Sequence, residues 1–165
     1  MATSTTLLGK PKIEVKPAGT GNNWTELDTP VEGSTSLETA EGTDLEAREE
    51  GGEVVDRISS AASYTLTFEL FKKEGVALPF ADTSGVVDGE WAVKVSSALR
   101  SNAPSFQIDR AVLKTSVVYT VNDTLRKRYT FSALKPNSGD TLKIMNSDGQ
   151  EDTEANPTGS NSNPQ

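Results

Sequence analysis

Residues 111–134 read AVLKTSVVYTVNDTLRKRYTFSAL, the longest β signal in the chain. In the first arm Ala111, Leu113, Thr115, Val117, Tyr119 and Val121 fall on one face by period-two alternation. In the second arm Leu125, Lys127, Tyr129, Phe131 and Ala133 share a face. The two arms predict an antiparallel hairpin. A two-residue turn at Asn122-Asp123 would set Tyr119 against Arg126 and Val117 against Arg128, mixing apolar and charged faces. A three-residue loop, Asn122-Asp123-Thr124, pairs Val121 with Leu125, Val117 with Tyr129 and Leu113 with Ala133. A slip of one residue turns every side chain to the other face, so the apolar match selects the three-residue loop. Each cross-strand pair contributes only about 0.2–1 kcal/mol, and burial of the whole face decides. The opposite face, with Lys114, Ser116, Thr120, Arg126, Arg128 and Thr130, reads as solvated. The hairpin is architecture and carries no chemistry.

Outward from it, the cleanest further strand is SYTLTFELFK at 63–72, with Tyr64, Leu66, Phe68 and Leu70 facing in. Short strands are expected at 12–16, with Ile13 and Val15 inward, at 24–27, at 53–58 and at 141–145. Trp24 reads as a core anchor. Residues 31–53 are acidic and poor in large apolar side chains; they hold edge strands at 36–39 and 43–47, or form a long loop that orders against a partner. Gly51-Gly52 breaks that region. Residues 91–99 fit strand or helix. Their β-branched first half favours strand, and 96–101 is the best place for a short helix. The sum is a mainly β chain: a β-sandwich or partly closed barrel of about eight to ten strands with one short flanking helix. A flexible N-terminus is expected at 1–9, one domain at 10–145, and a disordered polar tail at 146–165.

Composition narrows the function. The 165 residues include 24 acidic and 16 basic ones, a net charge of −8, which opposes a nucleic-acid clamp. There is no cysteine and no histidine, which removes thiolate chemistry, the usual general base and ordinary zinc sites. No apolar run is long enough to span a membrane, and the first residues lack the charged and apolar regions of a signal peptide. Ser132-Ala133-Leu134-Lys135 matches S-x-x-K but lies at a strand end without its companion motifs. Asn146-Ser147-Asp148-Gly149 hints at a calcium loop but lacks the glycine and terminal Glu spacing of an EF-hand, and Gly19-Thr20-Gly21 lacks the helix of a phosphate loop. No catalytic, cofactor or metal residues are therefore assigned. Arg126-Lys127-Arg128 reads as a cross-strand or subunit salt-bridge set, with Arg126 and Arg128 the candidate subunit contacts.

Several segments together resemble the tail tube (major tail structural) proteins of bacterial viruses and prophages. They are Asn23-Trp24-Thr25-Glu26-Leu27, Val54-Val55-Asp56-Arg57-Ile58, Ser63-Tyr64-Thr65-Leu66-Thr67-Phe68, Phe106-Gln107-Ile108-Asp109-Arg110-Ala111 and Tyr129-Thr130-Phe131-Ser132-Ala133-Leu134-Lys135-Pro136. The likeness spans residues 9–145. It implies a non-enzymatic β-sandwich with one flanking helix, six copies of which form a ring. Stacked rings make a tube through which DNA passes without specific binding, so the expected partners are the chain itself and other tail proteins. It implies a virion component assembled in the bacterial cytoplasm, with no cofactor, membrane or small-molecule ligand. Glu38, Glu41, Asp44, Glu46, Glu49 and Glu50 are the candidate lumen or ring-stacking segment, by character rather than by motif. Other virion β-sandwich components (head-tail, terminator or decoration proteins) and a carbohydrate-binding module are the alternatives.

Overall fold

The computed structural model describes residues 8–19, 21–146 and 151. Among these residues ten strands run in chain order: β1 (Pro11–Pro17), β2 (Thr25–Glu26), β3 (Ser36–Ala40), β4 (Asp44–Arg48), β5 (Val54–Ser59), β6 (Ser63–Phe71), β7 (Val86–Ser97), β8 (Ser105–Val118), β9 (Arg126–Ala133) and β10 (Lys143–Met145). Eight form one antiparallel sheet in the order β2-β1-β7-β8-β9-β6-β3, with β10 added to β8; β4 and β5 form a separate hairpin. The described residues contain no helix. The expected short helix at 96–101 is replaced by the end of β7 and a turn. The reason is pairing on both sides: Val93 and Val95 face Val15 and Ile13 on β1 and Ile108 and Phe106 on β8. The expected N-terminal segment and tail lie largely outside the described residues.

The eight-stranded sheet is rolled. Leu27 donates its N–H to Ile13 O on the outer side of β1, and Val31 donates to Glu69 O on the outer side of β6. In a flat sheet those positions would lie about 29 Å apart, six strand spacings. Four residues of chain reach at most about 14 Å. The two edges must therefore curl toward each other, with linker 27–35 crossing the gap. The edge strands β2 and β3 do not pair, so the barrel stays open.

The concave side holds the core. Ile13, Leu66, Phe68, Ile108, Leu113, Tyr129 and Phe131 are essentially inaccessible. Phe68 stacks on Tyr129 and Phe131 at 5.5 and 5.8 Å between ring centroids. Phe80, from the β6–β7 linker, plugs the same space and meets Trp91 edge-on at 4.9 Å. Burying each such side chain contributes about 1.5–3 kcal/mol.

The long hairpin keeps the expected faces but not the expected register. Leu113 opposes Phe131, Thr115 opposes Tyr129 and Val117 opposes Lys127. The observed pairing is displaced by two residues, which preserves every face, so apolar matching alone does not discriminate it. The loop spans residues 119–125 rather than three residues, with Asp123 N bonded to Thr120 O and Asn122 at φ 66°. Val117, Tyr119 and Val121, expected inward, stand beyond the core at 68%, 65% and 72% exposure.

Candidate interaction surfaces

Three features of the sequence and topology create surfaces that the core does not use. The first is an arm. β3 pairs with β6 so that Ala40 faces Ser63, and β4 pairs with β5 so that Asp44 faces Ser59. Partner numbers add to the same total in both ladders, so β3–β4 and β5–β6 form one antiparallel ribbon with an interruption at 41–43 and 60–62. At the interruption Ser60 N bonds Thr43 O and Thr43 N bonds Ser60 Oγ. Gly42 is required there, because a Cβ would fall 1.8 Å from the Ser60 carbonyl oxygen. Beyond it the ribbon leaves the sheet, and every residue of β4 and β5 is exposed. Such an isolated two-strand ribbon is marginal in water.

The arm has two unlike faces. On one, Glu46 joins Arg48 at 2.5 Å and also pairs with Arg57 across the ribbon, while Ser59 Oγ donates to Asp44. On the other, Leu45 opposes Ile58, at 72% and 66% exposure. The six candidate acids all lie on this ribbon: Glu38 on β3, Glu41 at the interruption, Asp44 and Glu46 on β4, and Glu49 and Glu50 in the turn after it. The structure strings them along one ribbon, Glu38 within the main sheet and the others at or beyond the interruption, and leaves Glu46 neutralised by two arginines.

The second feature is the β8–β9 tip. Val117, Tyr119, Val121 and Leu125 are exposed within nine residues of chain, with Phe71 at the adjoining end of β6. Behind them Arg126 and Arg128 converge on Glu69. Arg126 Nη1 lies 3.1 Å from Glu69 Oε2, and Arg128 Nη2 lies 2.8 Å from Oε1. Arg126 also donates to Asp123 at 3.0 Å. Both candidate subunit-contact residues thus serve a cross-strand set within the chain. Glu69 is buried and is held by this pair of guanidinium groups.

The third is an ionic cluster under the Phe80 linker. Lys127 is buried and pairs with Asp82 Oδ1, while Asp82 Oδ2 accepts from Thr115 Oγ1 at 2.9 Å and from Gly85 N at 3.1 Å. The bond from Lys127, then that from Thr115, hold the Asp82 carboxyl below its ordinary value. Beside it the Tyr129 hydroxyl is buried without a hydrogen-bond partner. Burial, reinforced by the Asp82 charge, pushes the Tyr129 phenol up to about 12. Lys127 is committed to the Asp82 contact, so the cluster reads as structural.

Trp24 is not the core anchor the sequence predicts. It lies on the convex face of the sheet, partly exposed, with Lys16 Nζ and Lys94 Nζ at 4.9 and 4.8 Å from its ring. Two cations over one indole are a cation–π arrangement, not an open carbohydrate platform. A cleft of about 600 Å³ involves Lys16, Glu90, Asp109 and Arg110. Glu90 and Arg110 close on each other there in a two-point contact of 2.5 and 2.7 Å. Among the described residues no group of three or more acidic side chains is arranged to hold a metal.

No family model and no curated protein matches the sequence. Among solved structures the chain is similar to the sheath/tube terminator of an extracellular contractile injection system, solved by cryo-electron microscopy in its extended state. The match covers 88% of this chain and 99% of that one, at 10% identity and a TM-score of 0.54. At that identity the likeness bears on the fold alone.

Proposed function

We propose that this chain is a non-enzymatic structural subunit of a phage-tail-like assembly, forming a closed ring at the end of a tube. The observation that carries the reading is the near-complete overlap in fold with a sheath/tube terminator. Two further features support it: a rolled sheet with open edges, and two exposed apolar projections for which a free monomer has no use. In such a ring the partners are other copies of the chain and neighbouring tail proteins, within a virion-like particle assembled in a bacterial cytoplasm. The acidic ribbon, with Glu38 on β3, Glu41 at the interruption and Glu49 and Glu50 in the turn after β4, would border the opening and repel DNA phosphates, so that DNA passes without sticking.

The second reading is the tube subunit itself, favoured by the likeness of segments such as 54–58 and 129–136 to tail tube proteins. Negative-stain electron microscopy of the purified protein over a concentration series separates the two. Single rings with a central opening support the terminator. Open-ended stacks of rings move the assignment to the tube subunit. Compact particles without an opening at every concentration overturn both.

A further inference from the structure

The arm and the β8–β9 tip leave the sheet from opposite ends of the same strands. The arm departs where β6 begins, at Ser63; the tip lies where β6 ends, with Phe71 opposite Arg126. The nine residues of β6 separate them by about 27 Å. Each projection presents large apolar side chains that no described residue covers: Leu45 and Ile58 on the arm, Val117, Tyr119, Val121 and Leu125 on the tip. A patch of this kind, rimmed by charge, marks an interaction site.

Their charges are opposite in sign. Residues 41–60 hold seven acidic side chains against two arginines, a net of −5. Residues 114–128 hold Lys114, Arg126, Lys127 and Arg128 against Asp123, a net of +3. Counting Glu69 and Asp82, which pair with three of those cations, still leaves the tip at +1. Arm on arm would set −5 against −5, which disfavours a two-fold contact between like surfaces. Arm on tip is attractive in charge and apolar at the centre.

We propose that the apolar face of the arm of one copy covers the β8–β9 tip of the next copy, a head-to-tail contact between unlike surfaces. The choice of a second copy as occupant rests on the ring reading above. A contact of this type closes into a ring when its rotation divides a full turn and otherwise propagates. It also gives the arm's two faces separate tasks, Leu45 and Ile58 toward the neighbour and the ion-paired face toward the opening.

Head-to-tail contacts have a signature that two-fold ones lack, and mixing two crippled variants reads it. The arm variant is Leu45→Thr with Ile58→Thr; the tip variant is Tyr119→Thr with Val121→Thr. Threonine keeps strand propensity at 45 and 58 and is a polar residue suited to the exposed 119–125 loop, and an unchanged melting temperature confirms the fold. Sedimentation velocity up to millimolar chain, with electron microscopy in parallel, gives the association. Each variant alone is expected to associate about tenfold or more weakly than the wild type. Their equimolar mixture, in which one copy has an intact arm and the other an intact tip, is expected to yield particles of two chains and none larger. Wild-type rings that both variants form equally well would overturn the contact and leave the ring reading standing. Two-chain mixtures without wild-type rings would support the contact and remove the ring. A wild type that never associates would overturn both.

Discussion

Replacing Tyr129 with Phe tests the packing of the core against its electrostatics. The ring is fully buried, stacked on Phe68 at 5.5 Å, and its hydroxyl has no partner. A buried hydroxyl without a hydrogen bond costs about 1–3 kcal/mol, while Phe keeps the ring contacts. At pH 7 the phenol is neutral folded and unfolded, so only that cost changes, and Tyr129→Phe is expected to stabilise by about 1 kcal/mol. The alkaline limb then isolates the second effect. The phenol is raised from 10.0 to about 12 by burial and by Asp82. A folded value above the unfolded one means that its contribution is whole below pH 10 and is lost as pH climbs to 12. Two units correspond to about 3 kcal/mol lost by the wild type across that window and not by the variant. Urea unfolding at pH 7 and at intervals from pH 9 to 12 measures both effects, and Lys143, also raised by its bond to Asp109, falls away equally in the two proteins. A variant destabilised by more than about 1 kcal/mol at pH 7 would mean that the hydroxyl is hydrogen-bonded, and the reasoning would fail.

The remaining predictions concern charge and close approach. Asp82, Glu90, Asp109 and Asp123 all have folded values below their ordinary ones. For Asp109 burial acts upward, but the bonds from Lys143 and Gln107 outweigh it. Their contributions are present above the unfolded carboxylate range and are lost as pH falls below about 4, which acid unfolding followed by circular dichroism will record. Glu69→Ala strands Arg126 and Arg128 beside each other and should cost about 2–3 kcal/mol in urea unfolding; a loss under 0.5 kcal/mol, on the order of an ordinary surface change, would refute its role. Gly85→Ala should lower stability by about 2 kcal/mol, since φ is +85° and a Cβ would stand 2.7 Å from the Thr115 carbonyl oxygen. Glu49→Lys with Glu50→Lys should leave the melting temperature unchanged but reduce DNA passage in assembled particles; undiminished infectivity would count against an acidic opening.

Strand identity was legible because alternation is a local property. The inward faces of β1, β6, β8 and β9 follow from Ile13 and Val15, from Leu66, Phe68 and Leu70, and from Leu113, Tyr129 and Phe131, all buried. Register was legible only modulo two. What selects among the permitted registers is distant: β8 is fixed from its other side by β7, and Lys127 is held by Asp82, 45 residues away in sequence. Trp24 misled because its size suggests the core, whereas two lysines from strands β1 and β7 hold it on the convex face. The arm could have been found. Gly51-Gly52, both at positive φ, lies between two alternating segments, which is a hairpin signal once 43–47 and 54–58 are read together. Glu69 could not, since nothing local distinguishes it from the other outward residues of β6.

The division between rolled sheet and projections also divides what a substitution can do. Among the described residues the largest fully buried side chains lie in β1, β6, β7, β8 and β9, with Phe80 added from the β6–β7 linker. Because β4 and β5 bury none of their residues, Leu45 and Ile58 add little to the stability of the isolated chain. Exposed leucine and isoleucine nonetheless cost solubility in a free monomer. A chain of net charge −8 offsets that cost through repulsion between copies, and the same repulsion opposes any contact that joins acidic arms to each other. In the proposed contact, association is favoured where the arm meets the positively charged tip, so the charge distribution that opposes arm–arm contacts would also select the geometry of assembly. Raising salt should therefore weaken discrimination between arm–arm and arm–tip contacts, with the Leu45–Ile58 face still supplying attraction. Mixed aggregates at high salt and ordered rings at low salt would be the sign of that balance; ring formation unaffected by salt would place the selectivity in shape alone.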